Sequence, residues 1–146
     1  MKKELIAIAV AAVVLVILVI YFGIYGGENT ITFEPVSEKA IPRKLQAEVI
    51  PSYRDLERAL VCREGEQIYV LAMRGEKPTS GYEIQITKLE LVTEAGKSKL
   101  VVYADFVDPK RPEDMAQVKC YPVSVVRAEL QGLPDLVELR SSYPKD

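Results

Sequence analysis

The chain has 146 residues, with 19 Lys+Arg against 21 Asp+Glu, no His, no Trp and two Cys. That length holds one ordinary domain with an appendage, and a net charge of -2 lacks the basic face of a nucleic-acid binder. The absence of His excludes Ser-His-Asp and Cys-His catalysis and His-ligated metals, and two Cys cannot build a four-thiolate site.

Residues 5–25 form 21 consecutive positions without a charge, LIAIAVAAVVLVILVIYFGIY. A helix of that length reaches roughly 31 Å, the thickness of a bilayer core. Tyr21, Phe22 and Tyr25 lie at one end, suited to the membrane interface, and Lys2 and Lys3 at the other. The positive-inside rule sets the N-terminus in the cytoplasm and the following residues outside. The run is longer than the apolar core of a cleaved signal peptide, and no small-x-small site follows it. No Cys follows for a lipid anchor. The expectation is a single-pass signal-anchor helix over residues 1–25, held in the cell membrane.

Residues 26–44, with two glycines and two prolines, read as a tether, in which residues 30–33 can add a short edge strand. Residues 45–50 (LQAEVI) read as a strand ended by Pro51. Ser52 then caps a helix, with Asp55 completing a weak capping box and Tyr53, Leu56 and Leu60 at helical spacing. That helix ends at Glu64-Gly65-Glu66.

After Gly65 the period becomes two. Residues 68–73 are apolar on both faces, the mark of a central strand. Residues 74–81 (RGEKPTSG) read as an exposed turn joining this strand to an adjacent antiparallel one. There Tyr82, Ile84 and Ile86 alternate with polar residues, and the phase slips at Thr87-Lys88, as a β-bulge requires. Residues 94–97 (EAGK) make a hairpin turn leading to a strand over 100–107. A polar loop over 108–114 follows, then strands over 117–121 and 123–130 punctuated by Pro122, and a last short strand over 136–139. Residues 45–146 are thus expected to form a mainly β domain, a small antiparallel sandwich or partly open barrel with one short helix.

The strand–turn–strand centre resembles the C-terminal domain of the PrcB protease-complex subunit family. The matching residues are Met73, Gly75, Lys77, Pro78, Thr79, Gly81, Tyr82, Ile84 and Ile86, and residues 120–126 (CYPVSVV) resemble its closing segment. The resemblance implies an extracytoplasmic, non-catalytic accessory domain with a protein partner, expected to be a protease. Residues 77–82 also look like the N-P-T-T-G-Y loop of chagasin-type cysteine-protease inhibitors, with departures at Lys77 and Ser80. That second resemblance implies an inhibitory loop on a sandwich.

Lys77, Pro78, Thr79, Ser80, Gly81 and Tyr82 are therefore the candidate partner-binding loop. Pro78 presets φ, Gly81 can adopt positive φ, and the hydroxyls between them are available for contact. Asp105, Asp108, Glu113 and Asp114 crowd together, but Lys110 and Arg111 among them favour a solvated loop over a calcium site. Cys62 and Cys120 are a candidate disulfide in an oxidising compartment. No catalytic residue, metal or cofactor is expected, and a small carboxylate-dependent enzyme stands as the least favoured alternative.

Overall fold

The computed structural model describes residues 29–144, together with the single positions Lys3 and Val13. Apart from Lys3 and Val13, the expected membrane helix lies outside the described residues. Among the described residues no helix is long and apolar enough to cross a membrane. Ile31–Asp146 is one compact unit, so the stretch read as a tether enters the fold from Ile31 onward.

Among the described residues seven strands form in chain order: β1 (Phe33–Pro35), β2 (Glu57–Glu64), β3 (Gln67–Arg74), β4 (Glu83–Glu94), β5 (Lys97–Val107), β6 (Val123–Ala128) and β7 (Leu136–Ser142). They make a four-stranded sheet ordered β1-β6-β3-β2 and a three-stranded sheet ordered β4-β5-β7. The domain is mainly β, with two facing sheets and no closed barrel. The first sheet is antiparallel throughout. In the second, β4 and β5 are antiparallel but β5 and β7 are parallel, a departure from the all-antiparallel expectation. β7 follows the 108–135 stretch, which is long enough to return the chain to the starting end of the sheet, as a parallel neighbour requires.

Alternation along the strands builds the core. Val70 and Ala72 of β3 and Val126 and Ala128 of β6 face Ile86 and Leu89 of β4 and Leu100 and Val102 of β5. The opposite face of the first sheet is apolar too, since Leu71 and Met73 of β3 and Val125 of β6 pack under Leu45. β3 is thus covered on both sides, which is why residues 68–73 carry no polar alternation. The outer face of the second sheet is polar: Lys99 meets Glu94 and Glu138 at 2.9 and 3.3 Å, and Arg140 meets Glu138 at 2.7 Å.

The cover over the first sheet is helical where a strand was expected. Leu45–Val49 is a π-helical turn that runs into α1 (Ile50–Tyr53). Leu45, Val49 and Ile50 fall on one face and meet the sheet. A proline inside an α-helix clashes with the carbonyl four residues back, here Ala47. The wider π turn, in which the Ile50 N–H reaches the Leu45 carbonyl, makes room for Pro51. The segment expected as a helix after Ser52 is instead largely β2, in which residues 57–64 pair with β3 without a shift. Its residues Ala59 and Val61 face the core while Leu60 and Cys62 face the helical cover, so both faces are apolar and no strand alternation was visible. The expected strand over 117–121 is reduced to one bridge, Lys77 with Cys120.

The β4 slip lies where the phase change put it, between Ile86 and Lys88. The β4–β5 hairpin turns at Ala95 (φ 51°) and Gly96 (φ 79°), the two successive positive φ values that suit the strand twist. Glycine adopts this freely, whereas alanine there costs roughly 1–2 kcal/mol. Ala95→Asn is therefore expected to stabilise the domain by up to about 1 kcal/mol, because Asn tolerates the left-handed region. Thermal unfolding of the two chains side by side checks this as a rise of a few degrees in Tm.

Candidate functional site

The residues that carried the sequence motif leave β3 at Arg74 and enter β4 at Glu83. The two strands belong to different sheets, so residues 75–82 cross the end of the sandwich and are not a hairpin turn. The crossing is clamped by the segment after β5. The Arg74 N–H donates to the Pro122 carbonyl at 3.1 Å, and Lys77 and Cys120 exchange two backbone hydrogen bonds of 2.8 and 2.9 Å. The Ser80 N–H donates to the Ala116 carbonyl at 3.1 Å, and the Ala116 N–H donates to Ser80 Oγ at 3.1 Å. The two segments form a double loop.

This changes the role of the hydroxyls. Thr79 is only 5% exposed, and its Oγ1 donates to the Ser80 carbonyl at 2.9 Å. Ser80 Oγ accepts from the Ala116 N–H. Thr79 is turned inward, while the half-exposed Ser80 keeps its own O–H proton beside the bond it accepts. Pro78 and Gly81 are exposed, Lys77 and Tyr82 half-exposed. Gly81 has φ 95°, and a Cβ there would come within 2.9 Å of Met115 Sδ and of Pro109 Cβ. Backbone conformation and close approach both demand glycine.

Under the double loop lies a residue that the sequence reading assigned to the turn. Arg74 ends β3, and its side chain is 1% exposed. It shares parity with Val70 and Ala72, so it points between the sheets. One terminal nitrogen donates to the carbonyls of Val107 at 2.8 Å and Glu83 at 3.1 Å; the other is bound to the Asp108 carboxylate. The guanidinium carbon lies 4.8 Å from the Phe106 ring centre, 5.1 Å from Tyr82 and 5.8 Å from Tyr143. Phe106 and Tyr143 meet edge to face, 5.9 Å apart. Arg74 Nε is buried without a hydrogen-bond partner, and the surrounding aromatic faces offset that loss by cation–π attraction. The signal was available: an Arg that continues the core-facing parity of an apolar strand.

A second cluster decorates the outer rim. The Tyr121 hydroxyl donates to Glu76 Oε1 at 3.0 Å, Lys119 Nζ lies 3.4 Å from the same oxygen, and the Arg54 guanidinium covers the Tyr121 ring at 4.2 Å. The Tyr121 hydrogen bond, then Lys119, holds the Glu76 carboxyl below its ordinary range, and the same hydrogen bond pushes the Tyr121 phenol up. The contact is therefore complete at neutral pH. It is lost as pH falls through the lowered Glu76 value, and again as pH rises through the raised Tyr121 value.

Two grooves flank the double loop. One, of about 560 Å³, runs along Val36, Ile41, Ile50, Tyr121 and Val125. The other, of about 370 Å³, lies along Tyr82, Ile84, Val107 and Pro122. Val123 lines both.

The four acidic residues do not converge. Asp108 holds Arg74, Asp105 accepts from the Ser142 hydroxyl at 2.9 Å, and Asp114 lies 3.9 Å from Arg111. Among the described residues, no group of His, Cys, Asp and Glu is placed to hold a metal ion. Cys62 and Cys120 are free thiols, not a bridge. Their partners on the chain through β3 explain why: Cys62 lies beside Tyr69 and Cys120 beside Lys77, eight residues further on. Five of those steps are extended strand, about 16 Å, well beyond the reach of a disulfide. Burial, then the nearby Glu64, pushes the Cys62 thiol up.

Residues 68–129 match the family model described as PrcB C-terminal. This is the family that the motif residues resemble. The matched segment runs from β3 to the end of β6, so it contains both halves of the double loop, Arg74 and Asp108. No curated protein and no solved structure matches the chain.

Arg74→Met is expected to destabilise the domain by about 3 kcal/mol, since it strips two backbone carbonyls and a carboxylate of a buried donor. Asp108→Asn is expected to cost about 1 kcal/mol or less, because that side chain is half-exposed and solvent screens it. Denaturant unfolding of the two variants checks the order; equal costs would mean that the ion pair, not the carbonyl clasp, dominates.

Proposed function

We propose that this protein is a membrane-anchored, extracytoplasmic accessory subunit of a protease complex, which binds a protein partner through the double loop and carries no catalysis of its own. The observation that carries the reading is the PrcB C-terminal match over residues 68–129, which spans the double loop and the four strands that hold it. Resemblance to that family implies association with a protease. The physical arrangement agrees with a binding role: the loop is hydrogen-bonded on its inner side, so little ordering entropy opposes recognition by its outer side. The available outer groups are Pro78, Lys119 and the rims of Tyr82 and Tyr121.

The inhibitor reading, with residues 77–82 entering a protease cleft, has less support. Residues 77 and 80 are bonded to 120 and 116, and Thr79 is turned inward. Anchoring rests on the uncharged run over residues 5–25 and on Lys2 and Lys3 before it.

Capture from detergent-solubilised membranes with the full chain as bait tests the binding reading. A protease is expected among the captured proteins. Pro78→Ala combined with Lys119→Ala is expected to reduce its recovery about tenfold while Tm moves by no more than a few degrees. Undiminished recovery would remove the double loop as the binding surface, and capture without any protease would remove the accessory reading.

Topology is checked separately. Protease added to intact cells or protoplasts is expected to digest residues beyond 30. Protection until lysis would reverse the orientation, and a mature chain beginning near Gly26 would replace the anchor by a cleaved signal peptide.

A further inference from the structure

Four strands end the two sheets, and three of them offer little to another chain. β1 is three residues long and ends in Pro35. β4 is bulged between Ile86 and Lys88, the Ile86 N–H donates to Ser124 Oγ at 3.2 Å, and the Leu89 carbonyl accepts from Ile31. β7 carries charges in its middle, where Glu138 is ion-paired to Arg140 and Lys99, and charged side chains along an edge disfavour strand addition. β2 differs. All eight of its residues pair with β3 without a shift, and it contains no proline. Among the described residues, no hydrogen bond is made to the backbone of its outer edge. An unbroken edge of this kind is a template for strand addition.

Its sequence selects the occupant. β2 reads E-R-A-L-V-C-R-E, with an acid–base pair at one end and a base–acid pair at the other. Two copies related by a two-fold axis perpendicular to the sheet must place one residue opposite itself, because side chains facing each other lie on the same side of the sheet. With Leu60 on the axis, Glu57 lies opposite Arg63 of the second copy at both ends, and Ala59 lies opposite Val61. The interior apolar face then continues from one copy to the next. Moving the axis to Val61 sets Arg58 opposite Glu64. Like charges meet when the axis falls between Leu60 and Val61, and that arrangement would turn one copy's core face outward. Glu57 and Arg63 are both exposed, so their pairing displaces no existing partner.

We infer that a second copy of this chain pairs antiparallel along β2, with Leu60 on the two-fold axis, to form a continuous eight-stranded sheet across two protomers. The full chain in detergent micelles, carrying Cys62→Ser and Cys120→Ser, serves as the parent for the test. Leu60→Cys is expected to convert more than half of that chain to a disulfide-linked dimer under mild oxidation. Ala59→Cys, which faces Val61 of the second copy, is expected to do so at least tenfold more slowly. Arg63→Glu added to Leu60→Cys is expected to slow the cross-link several-fold, and Glu57→Arg added to both is expected to restore it. Absence of the Leu60→Cys dimer, equal cross-linking by Ala59→Cys, indifference to the charge exchange, or cross-linking to a different protein would each overturn the inference. The same charge variants in the otherwise native chain, followed by sedimentation in density-matched detergent, give an independent reading: Arg63→Glu yields monomer and the double exchange restores dimer. Dimerisation unchanged by Arg63→Glu would overturn it there as well.

Discussion

A positive charge buried between two sheets sets the terms for this fold. Arg74 leaves the end of the central strand of one sheet and is received by groups from the other: the Glu83 and Val107 carbonyls, the Asp108 carboxylate and the rings of Tyr82, Phe106 and Tyr143. An isolated buried charge is far too costly to persist, so these partners must all be in place. They come from the start of β4, from the end of β5 and the residue after it, and from the residue after β7. The apolar layer between the sheets is non-directional and tolerates sliding; the guanidinium fork does not. It fixes how far β3 advances over β4 and β5, and therefore where the double loop sits.

The loop inherits that precision. Residues 75–82 could have been a free tip, but their backbone is shared with residues 116–122, and Gly81 leaves room for Met115 and Pro109. The motif residues that resemble the PrcB family thus serve two purposes. Gly81, Thr79 and Ser80 build the clamp, while Pro78 and the tyrosine rims remain outside it. A motif of this sort looks like a recognition sequence when read along the chain, although half of it is architecture.

Much of the β pattern was legible. The central character of β3, the β4 bulge and the 94–97 turn follow from strand parity and turn chemistry, which are local. The parts that were not legible depend on tertiary context. Residues 45–50 alternate poorly and precede a proline, yet they become helical because the outer face of the first sheet needs an apolar cover. Residues 57–64 have apolar side chains toward two layers, which erases the period that separates strand from helix. The change of sheet between Arg74 and Glu83 leaves no mark in composition, since a crossing and a hairpin use the same turn residues. Arg74 itself is hidden because a charge after an apolar run has the look of a turn residue, although it keeps the parity of Val70 and Ala72.

The interleaving of the two sheets also governs the order in which the chain can mature. Strands β1, β2 and β3 are made first, but β6, their remaining sheet neighbour, arrives only after the whole β4–β5 hairpin. Glu34 finds Arg127 across a separation of 93 residues. Until Ala128 has emerged, β3 has one free side and β1 has no sheet to join, while the β4–β5 hairpin, whose contacts are local, can close at once. A nascent chain of this protein therefore carries an apolar strand with an open flank for most of its synthesis, and the protection of that flank falls to whatever meets the chain as it emerges.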